Sequence, residues 1–233
     1  MFRDMYKKRQ QQKQFDPFVT ALMPGSSVMS APPPPSSVPK PKLLELTTAT
    51  TITSTPKWDK FFDKCEYVEL RKDDPNNKAI TFRILSSGKK DAPFSFFMLH
   101  GAGHSAMSYA MVTSIMKESD KPPYVVAYDM RGHGETKSAD EEDMSAENLV
   151  EDALAVAEYA FKDSTSPLFI LGHSMGGAIA IRTALTKRLN KLTGIIVVDV
   201  VEGTAMEALP SMGAVIDSMP PSFVDLSDAI NWK

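Results

Sequence analysis

The sequence predicts an α/β fold: a mostly parallel sheet with helices on both faces, preceded by an antiparallel hairpin. Three observations predict it. From residue 93 onward, dense apolar runs alternate with segments whose apolar residues fall at helical spacing. Those runs lead into stretches that carry polar groups and glycines, "LHGAG", "DMRGHG", "GHSMGG" and "VVDVVEG". Upstream, two runs with apolar alternation and β-branched residues flank "KDDPNN", a concentrated turn signal.

Taken in order, residues 1–56 read as a tail. "SAPPPPSSVPKPK" and "TTATTITSTP" are low-complexity Pro/Ser/Thr stretches with too little apolar material to offset the entropy of ordering, so they are expected to be disordered. The folded domain is expected over 57–233. "CEYVEL" (65–70) and "AITFRILSSG" (79–88) form the hairpin. "PFSFFMLHG" (93–101) reads as a strand buried on both faces. "SYAMVTSIMKES" (108–119) follows as a helix, and "YVVAYDMRGHG" (124–134) as a second buried strand. "SAENLVEDALAVAEYAF" (145–161) is an amphipathic helix with Ser145 and Asn148 near its start. "PLFILGHS" (167–174) and "MGGAIAIRTALTK" (175–187) make a third strand and helix, "LTGIIVVDVV" (192–201) a fourth strand, and "AMEALPSM" opens another helical stretch.

The composition excludes several classes of function. A net charge of −3 offers no basic stripe for nucleic acid. No apolar run approaches the roughly 18 residues that a membrane helix needs, and the basic N-terminus is not followed by a signal-peptide apolar region. Cys65 is the only cysteine, so no internal disulfide forms. The default expectation is therefore a protein of the cytoplasm or nucleus, with neither nucleic acid nor membrane as partner. No His/Cys cluster has metal-ligand spacing, and no cofactor is expected.

The chemistry gathers where parallel strands end, because a doubly wound sheet collects its reactive groups at the carboxyl edge. "GHSMG" fits G-x-S-x-G, a strand turning sharply into a helix with Ser174 at the apex. Gly172 and Gly176 leave room for that turn, and the helix N-terminus favours developing negative charge. The competing reading makes Ser174 an ordinary helix cap. In such elbows the amide after the serine, here Met175, is one oxyanion donor; the loop after an early strand supplies the other. The backbone of Gly101 and Ala102 is the candidate for that second donor. His100 then reads as a loop-orienting residue, and His104 as either a substrate-side or a solvent-facing one. In "DMRGHGET", Asp129, Arg131 and His133 are read as local ion pairing and backbone bracing rather than as an acid–base set. Asp199 ends the strand after the elbow helix, where a carboxylate can orient an imidazole. A capping or loop role is the alternative for Asp199, and Glu202 is the weaker contender for the acid.

The chain has four histidines, His100, His104, His133 and His173, all before Ser174. A base normally follows nucleophile and acid in this chain order. The expectation is an α/β sheet incomplete at its C-terminus, lacking the final strands and the triad histidine, and inactive as written.

With "LHGAGHSAMSY", "DMRGHGETK", "MSAENLVEDA", "LGHSMGGAIAI" and above all "VVDVVEGTAMEAL" in view, residues 58–233 resemble the protein phosphatase methylesterases, a branch of the α/β-hydrolases. The resemblance implies an α/β-hydrolase fold. It also implies a serine carboxylesterase acting on the methyl ester of the C-terminal leucine of the type-2A protein phosphatase catalytic subunit. By position it transfers the nucleophile to Ser174 and the acid to Asp199. The family's histidine lies further downstream than this sequence reaches. The alternatives are another esterase or lipase-like hydrolase, and a truncated hydrolase fold that binds without turnover.

Overall fold

The computed structural model describes residues 57–72, 79–139 and 143–199, with short stretches after residue 216. The expected tail over 1–56, the "KDDPNN" turn from Asp73 onward and the helical stretch from Ala205 lie outside the described residues. One compact unit runs from Pro56 to Met212 and carries everything below.

The hairpin forms as its sequence predicts. Strand β1 (Lys64–Leu70) pairs antiparallel with β2 (Ile80–Ser87), from Lys64 opposite Ser86 to Leu70 opposite Ile80. The winding then begins with β3 (Ser95–Leu99), helix α1 (Ala110–Lys117) and β4 (Tyr124–Tyr128). A two-residue strand β5 (Lys137–Ser138), which the sequence reading missed, lies antiparallel on β2. Helix α2 (Ala146–Phe161), β6 (Leu168–His173), α3 (Met175–Leu185) and β7 (Leu192–Val198) follow. The sheet order is β1-β2-β4-β3-β6-β7. Strands β4, β3, β6 and β7 are mutually parallel, and β2 joins β4 antiparallel.

The parallel strands are apolar throughout because both of their faces are covered. Alternate residues of β3 and β4 feed two cores. Phe97 stacks on Tyr128 (ring centroids 5.5 Å apart) and meets Phe161 of α2 edge-on. Met98, Val125 and Ala127 turn the other way, onto Tyr109 and Ala110 at the start of α1. Each aromatic pair adds about 1 kcal/mol beyond its burial. Ser145 caps α2 by accepting the Asn148 N–H.

Two of the boundaries that differ from the sequence reading bear on the site. The helix expected from Ser108 begins instead as a 3-10 turn over Ala106–Tyr109 and becomes α-helical at Ala110. The strand expected to reach Gly134 stops at Tyr128, because the buried Asp129 carboxylate gathers the Glu135 amide of its own loop and the Ala106 amide of the loop after β3. Strand β7 ends the sheet among the described residues, with Ile195, Ile196, Val197 and Val198 each partly exposed.

Candidate active site

Four strand ends bring the site together. β3 delivers His100 and Gly101, β4 Asp129, β6 Ser174 and β7 Asp199.

Ser174 has φ 51° and ψ −118°. A positive φ on a residue with a side chain stores on the order of 1–3 kcal/mol of strain, held only because the surroundings over-determine it. The surroundings here are backbone. A Cβ on Gly176 would lie 2.1 Å from the Leu99 carbonyl oxygen, and one on Gly172 would lie 2.3 Å from the Gly176 carbonyl oxygen. Only glycine lets β6, α3 and β3 approach so closely. The Ser174 hydroxyl makes no cap hydrogen bond to the helix it begins, which counts against the helix-cap reading. The Gly177 and Ala178 amides bond the Ser174 carbonyl, at 2.9 and 3.2 Å. Met175 is the first residue of α3, where amides have no carbonyl one turn earlier to bond.

The loop after β3 packs directly on this bend. A Cβ built on Gly101 would sit 3.3 Å from Ser174 Cβ and 2.8 Å from His173 Nδ1. The loop turns on itself through His104 N–H to the Gly101 carbonyl, 3.2 Å. It is gripped by the neighbouring loop at three points. Met130 N–H donates to His100 Nε2 (2.9 Å), Gly103 N–H to His133 Nε2 (3.0 Å) and Ala106 N–H to Asp129 Oδ1 (2.7 Å). The Gly103 amide is thereby occupied, while Gly101, one of the two expected oxyanion-loop residues, lies against Ser174.

The hydrogen bonds fix the protonation of two imidazoles. An amide can only donate and a carbonyl can only accept. His100 takes Met130 N–H at Nε2 and faces the Gly101 carbonyl with Nδ1 (2.8 Å), so the ring is neutral with its proton on Nδ1. Burial agrees, pushing the His100 imidazole down to about 4. His133 has the same pattern, Nε2 accepting from Gly103 and Nδ1 donating to the Arg131 carbonyl at 2.9 Å. Both rings have both nitrogens engaged, so in this geometry neither can accept a proton from Ser174.

Arg131 is itself anchored. Its guanidinium donates to both carboxylate oxygens of Asp152, through Nε (2.9 Å) and Nη2 (3.0 Å), with both side chains fully buried. Arg71 Nη1 reaches the same carboxylate at 2.6 Å. Asp129 also accepts from Arg83 and from Glu135 N–H. The bracing role read for "DMRGHGET" is what these contacts describe. Sequence reasoning missed the length of the chain of contacts, from Asp152 through Arg131 and His133 to Gly103. The only signal for it was an aspartate on the buried face of an amphipathic helix.

On the other side, Ser174 N–H donates to the Val198 carbonyl (2.9 Å), setting Asp199 next to the bend. Asp199 has φ 52° and its side chain is 87% exposed. Its Oδ2 lies 3.9 Å from His173 Nε2. His173 in turn meets His104 edge-to-face at 5.4 Å, and His100 meets His133 at 5.0 Å. All four histidines of the chain therefore line one loop. Glu202 lies outside the described residues.

A family model described as serine aminopeptidase, S33, matches residues 93–216. Protein phosphatase methylesterase 1 of Bos taurus is 41% identical over 176 residues, covering 76% of this chain and 45% of its own length. Its namesake from Schizosaccharomyces pombe is 43% identical over 136 residues, covering 57% of this chain and 40% of its own. The chain thus spans less than half the length of these curated relatives. Among solved structures, a candidate lipase from Acinetobacter baumannii AYE matches with a TM-score of 0.53 at 22% identity, over 67% of this chain and 50% of its own, a likeness of fold alone. The chain belongs to the family described as serine aminopeptidase S33, within the α/β-hydrolases, and the relatives it resembles bear the name protein phosphatase methylesterase.

Proposed function

We propose that this chain carries the nucleophile and oxyanion site of a serine carboxylesterase of the protein phosphatase methylesterase type. The substrate on this reading is the methyl ester on the C-terminal leucine of the type-2A phosphatase catalytic subunit. The observation that carries it is Ser174, held at positive φ with its hydroxyl free of the helix and the Gly101 loop packed against it. The names and identities of the relatives support the substrate class.

In the reaction, Ser174 Oγ attacks the ester carbonyl while an imidazole takes its proton. The carbonyl electrons move onto oxygen, and that charge rests on the amides of Met175 and of Gly101 or Ala102. The tetrahedral intermediate collapses, methoxide takes the proton and leaves as methanol, and Ser174 is left acylated. Water, activated by the same base, then releases the leucine carboxylate and restores the hydroxyl. Asp199 orients and stabilises the imidazolium.

His100 and His133 are committed to the loops, and among the described residues neither His104 nor His173 hydrogen-bonds the Ser174 hydroxyl, so this reading expects the chain by itself to turn over slowly. The expected rate is on the order of 10⁴–10⁶ below an enzyme with a positioned base. The test is hydrolysis of a methyl-esterified C-terminal leucine peptide beside a generic acyl ester, with Ser174→Ala as control. Preference for the peptide ester, lost in the variant, supports the reading. Preference for the generic ester favours a lipase-like hydrolase. Tight peptide binding without turnover, unchanged by Ser174→Ala, favours the non-catalytic binder.

A further inference from the structure

We infer that His133 is a positioning residue for this site: it holds the Gly103 amide and so fixes the two residues before it, Gly101 and Ala102, against Ser174. The inference rests on the hydrolase reading above.

Within the loop from His100 to Ala106, His104 N–H and His100 Nδ1 meet the Gly101 carbonyl (3.2 and 2.8 Å) and His104 Nδ1 lies 3.0 Å from the Ala102 carbonyl, but no such internal bond holds the Gly103 amide. Gly101 and Gly103 lack side chains, and Gly103 has φ 74°, with open space around any Cβ built on it. Nothing packs where a Cβ of Gly103 would stand, and its amide is held by a hydrogen bond to His133 Nε2. Two residues earlier, Gly101 touches Ser174 and His173. The loop is thus pinned at His100 and at Gly103, with the candidate oxyanion amides in the span between.

His133 is equipped to be a rigid pin. Its Nδ1–H is taken by the Arg131 carbonyl, so the Nε2 lone pair must face outward to Gly103. Arg131 cannot drift, because its guanidinium is locked in the fork of the buried Asp152. The His100 ring closes on His133 from the side at 5.0 Å. His133 is buried, so the acceptor is held in place from within the fold while Gly103 itself stands at the surface. A preorganised donor array is worth most in catalysis when nothing has to move as charge develops, and this contact adds the hold at Gly103 to those at His100 and Ala106.

The test compares the unsubstituted chain with His133→Leu and His133→Gln. Glutamine keeps a carbonyl acceptor at a reach close to Nε2, whereas leucine keeps volume and removes the acceptor. One readout is hydrogen exchange of the Gly103 amide by NMR, which needs no catalysis. The other is the second-order rate at which a fluorophosphonate probe adds to Ser174. In His133→Leu the expected result is Gly103 exchange about tenfold faster and addition about tenfold slower, the size of one lost hydrogen bond. In His133→Gln both recover to within about threefold. A role confined to stability would leave the addition rate of folded protein unchanged. Gly103 exchange unaltered by leucine overturns the inference, as does faster exchange with an unchanged addition rate. If His133→Leu does not fold, a folded His133→Gln whose Gly103 amide is unprotected overturns it equally. If the probe never adds to Ser174 in the unsubstituted chain while Gly103 stays protected, the hydrolase reading itself fails and the positioning role falls with it.

Discussion

On one side of Ser174, the loop from His100 to Ala106 is held by three hydrogen bonds whose acceptors, His100, His133 and Asp129, are all buried. On the other, Asp199 is fixed through the backbone of Val198, while its side chain stands 87% exposed and 3.9 Å from His173. On the proposed reading the two sides do different work. Stabilising an oxyanion depends on dipoles already in place before charge appears, so that side needs rigidity and burial. A carboxylate that orients an imidazole acts through that partner rather than on the substrate. The difference also predicts where substitutions cost stability and where they leave it alone.

The largest expected effect lies furthest from Ser174. Asp152→Ala removes the carboxylate lying between the buried guanidiniums of Arg71 and Arg131. Breaking a buried pair in this way costs about 3–5 kcal/mol, and urea unfolding would measure it. A loss below about 1 kcal/mol would mean that the brace behind the rigid side is not buried as described.

Next in size is a pH effect from His100. The unfolded chain takes up this proton at the ordinary value of 6.5, the folded protein only near 4. Protons therefore favour the unfolded state across that window, and stability falls as pH drops from 6.5 to 4, by about 3 kcal/mol if this group acts alone. His100→Gln, which keeps an acceptor but does not titrate, should flatten that part of the urea-midpoint profile. An unchanged slope would remove His100 from the rigid side.

Gly176→Ala comes third. The new methyl would meet the Leu99 carbonyl oxygen at 2.1 Å, and the strain of overpacking against backbone is about 1–3 kcal/mol. Thermal unfolding reads that cost. Slower addition of a fluorophosphonate to Ser174 would show the strand–helix bend opening.

The smallest effect on stability belongs to the exposed side. Asp199→Asn should alter stability by less than about 0.5 kcal/mol, as exposed substitutions usually do. In a reaction supplied with a base it should nevertheless slow ester hydrolysis strongly. A large loss of stability would contradict the looseness assigned to this side.

Much of this arrangement was legible in the sequence, and what was missed has a physical reason. The parallel strands announce themselves because a strand buried on both faces must be apolar throughout, as Tyr124–Tyr128 is. The bend at Ser174 was legible because its glycines answer to backbone collisions that leave no alternative residue. The hairpin partners were clear, whereas the two-residue β5 is too short to carry any period. The end of β4 at Tyr128 was misjudged because the next residues, Asp129 and Met130, are as buried as a strand's. What ends the strand is a hydrogen-bonding preference of one carboxylate, which hydropathy does not register. The Asp152–Arg131–His133–Gly103 relay was invisible for a related reason: its members lie on a helix and two loops, and only the fold makes them neighbours.

The central claim, that Ser174 is a nucleophile facing a preassembled oxyanion loop, is tested most directly by mass spectrometry after exposing the folded chain to a fluorophosphonate. The account predicts one slow adduct on the peptide containing Ser174, absent from Ser174→Ala and slowed when His133 loses its acceptor. An adduct on any other residue, or none on a protein that unfolds cooperatively, would contradict it.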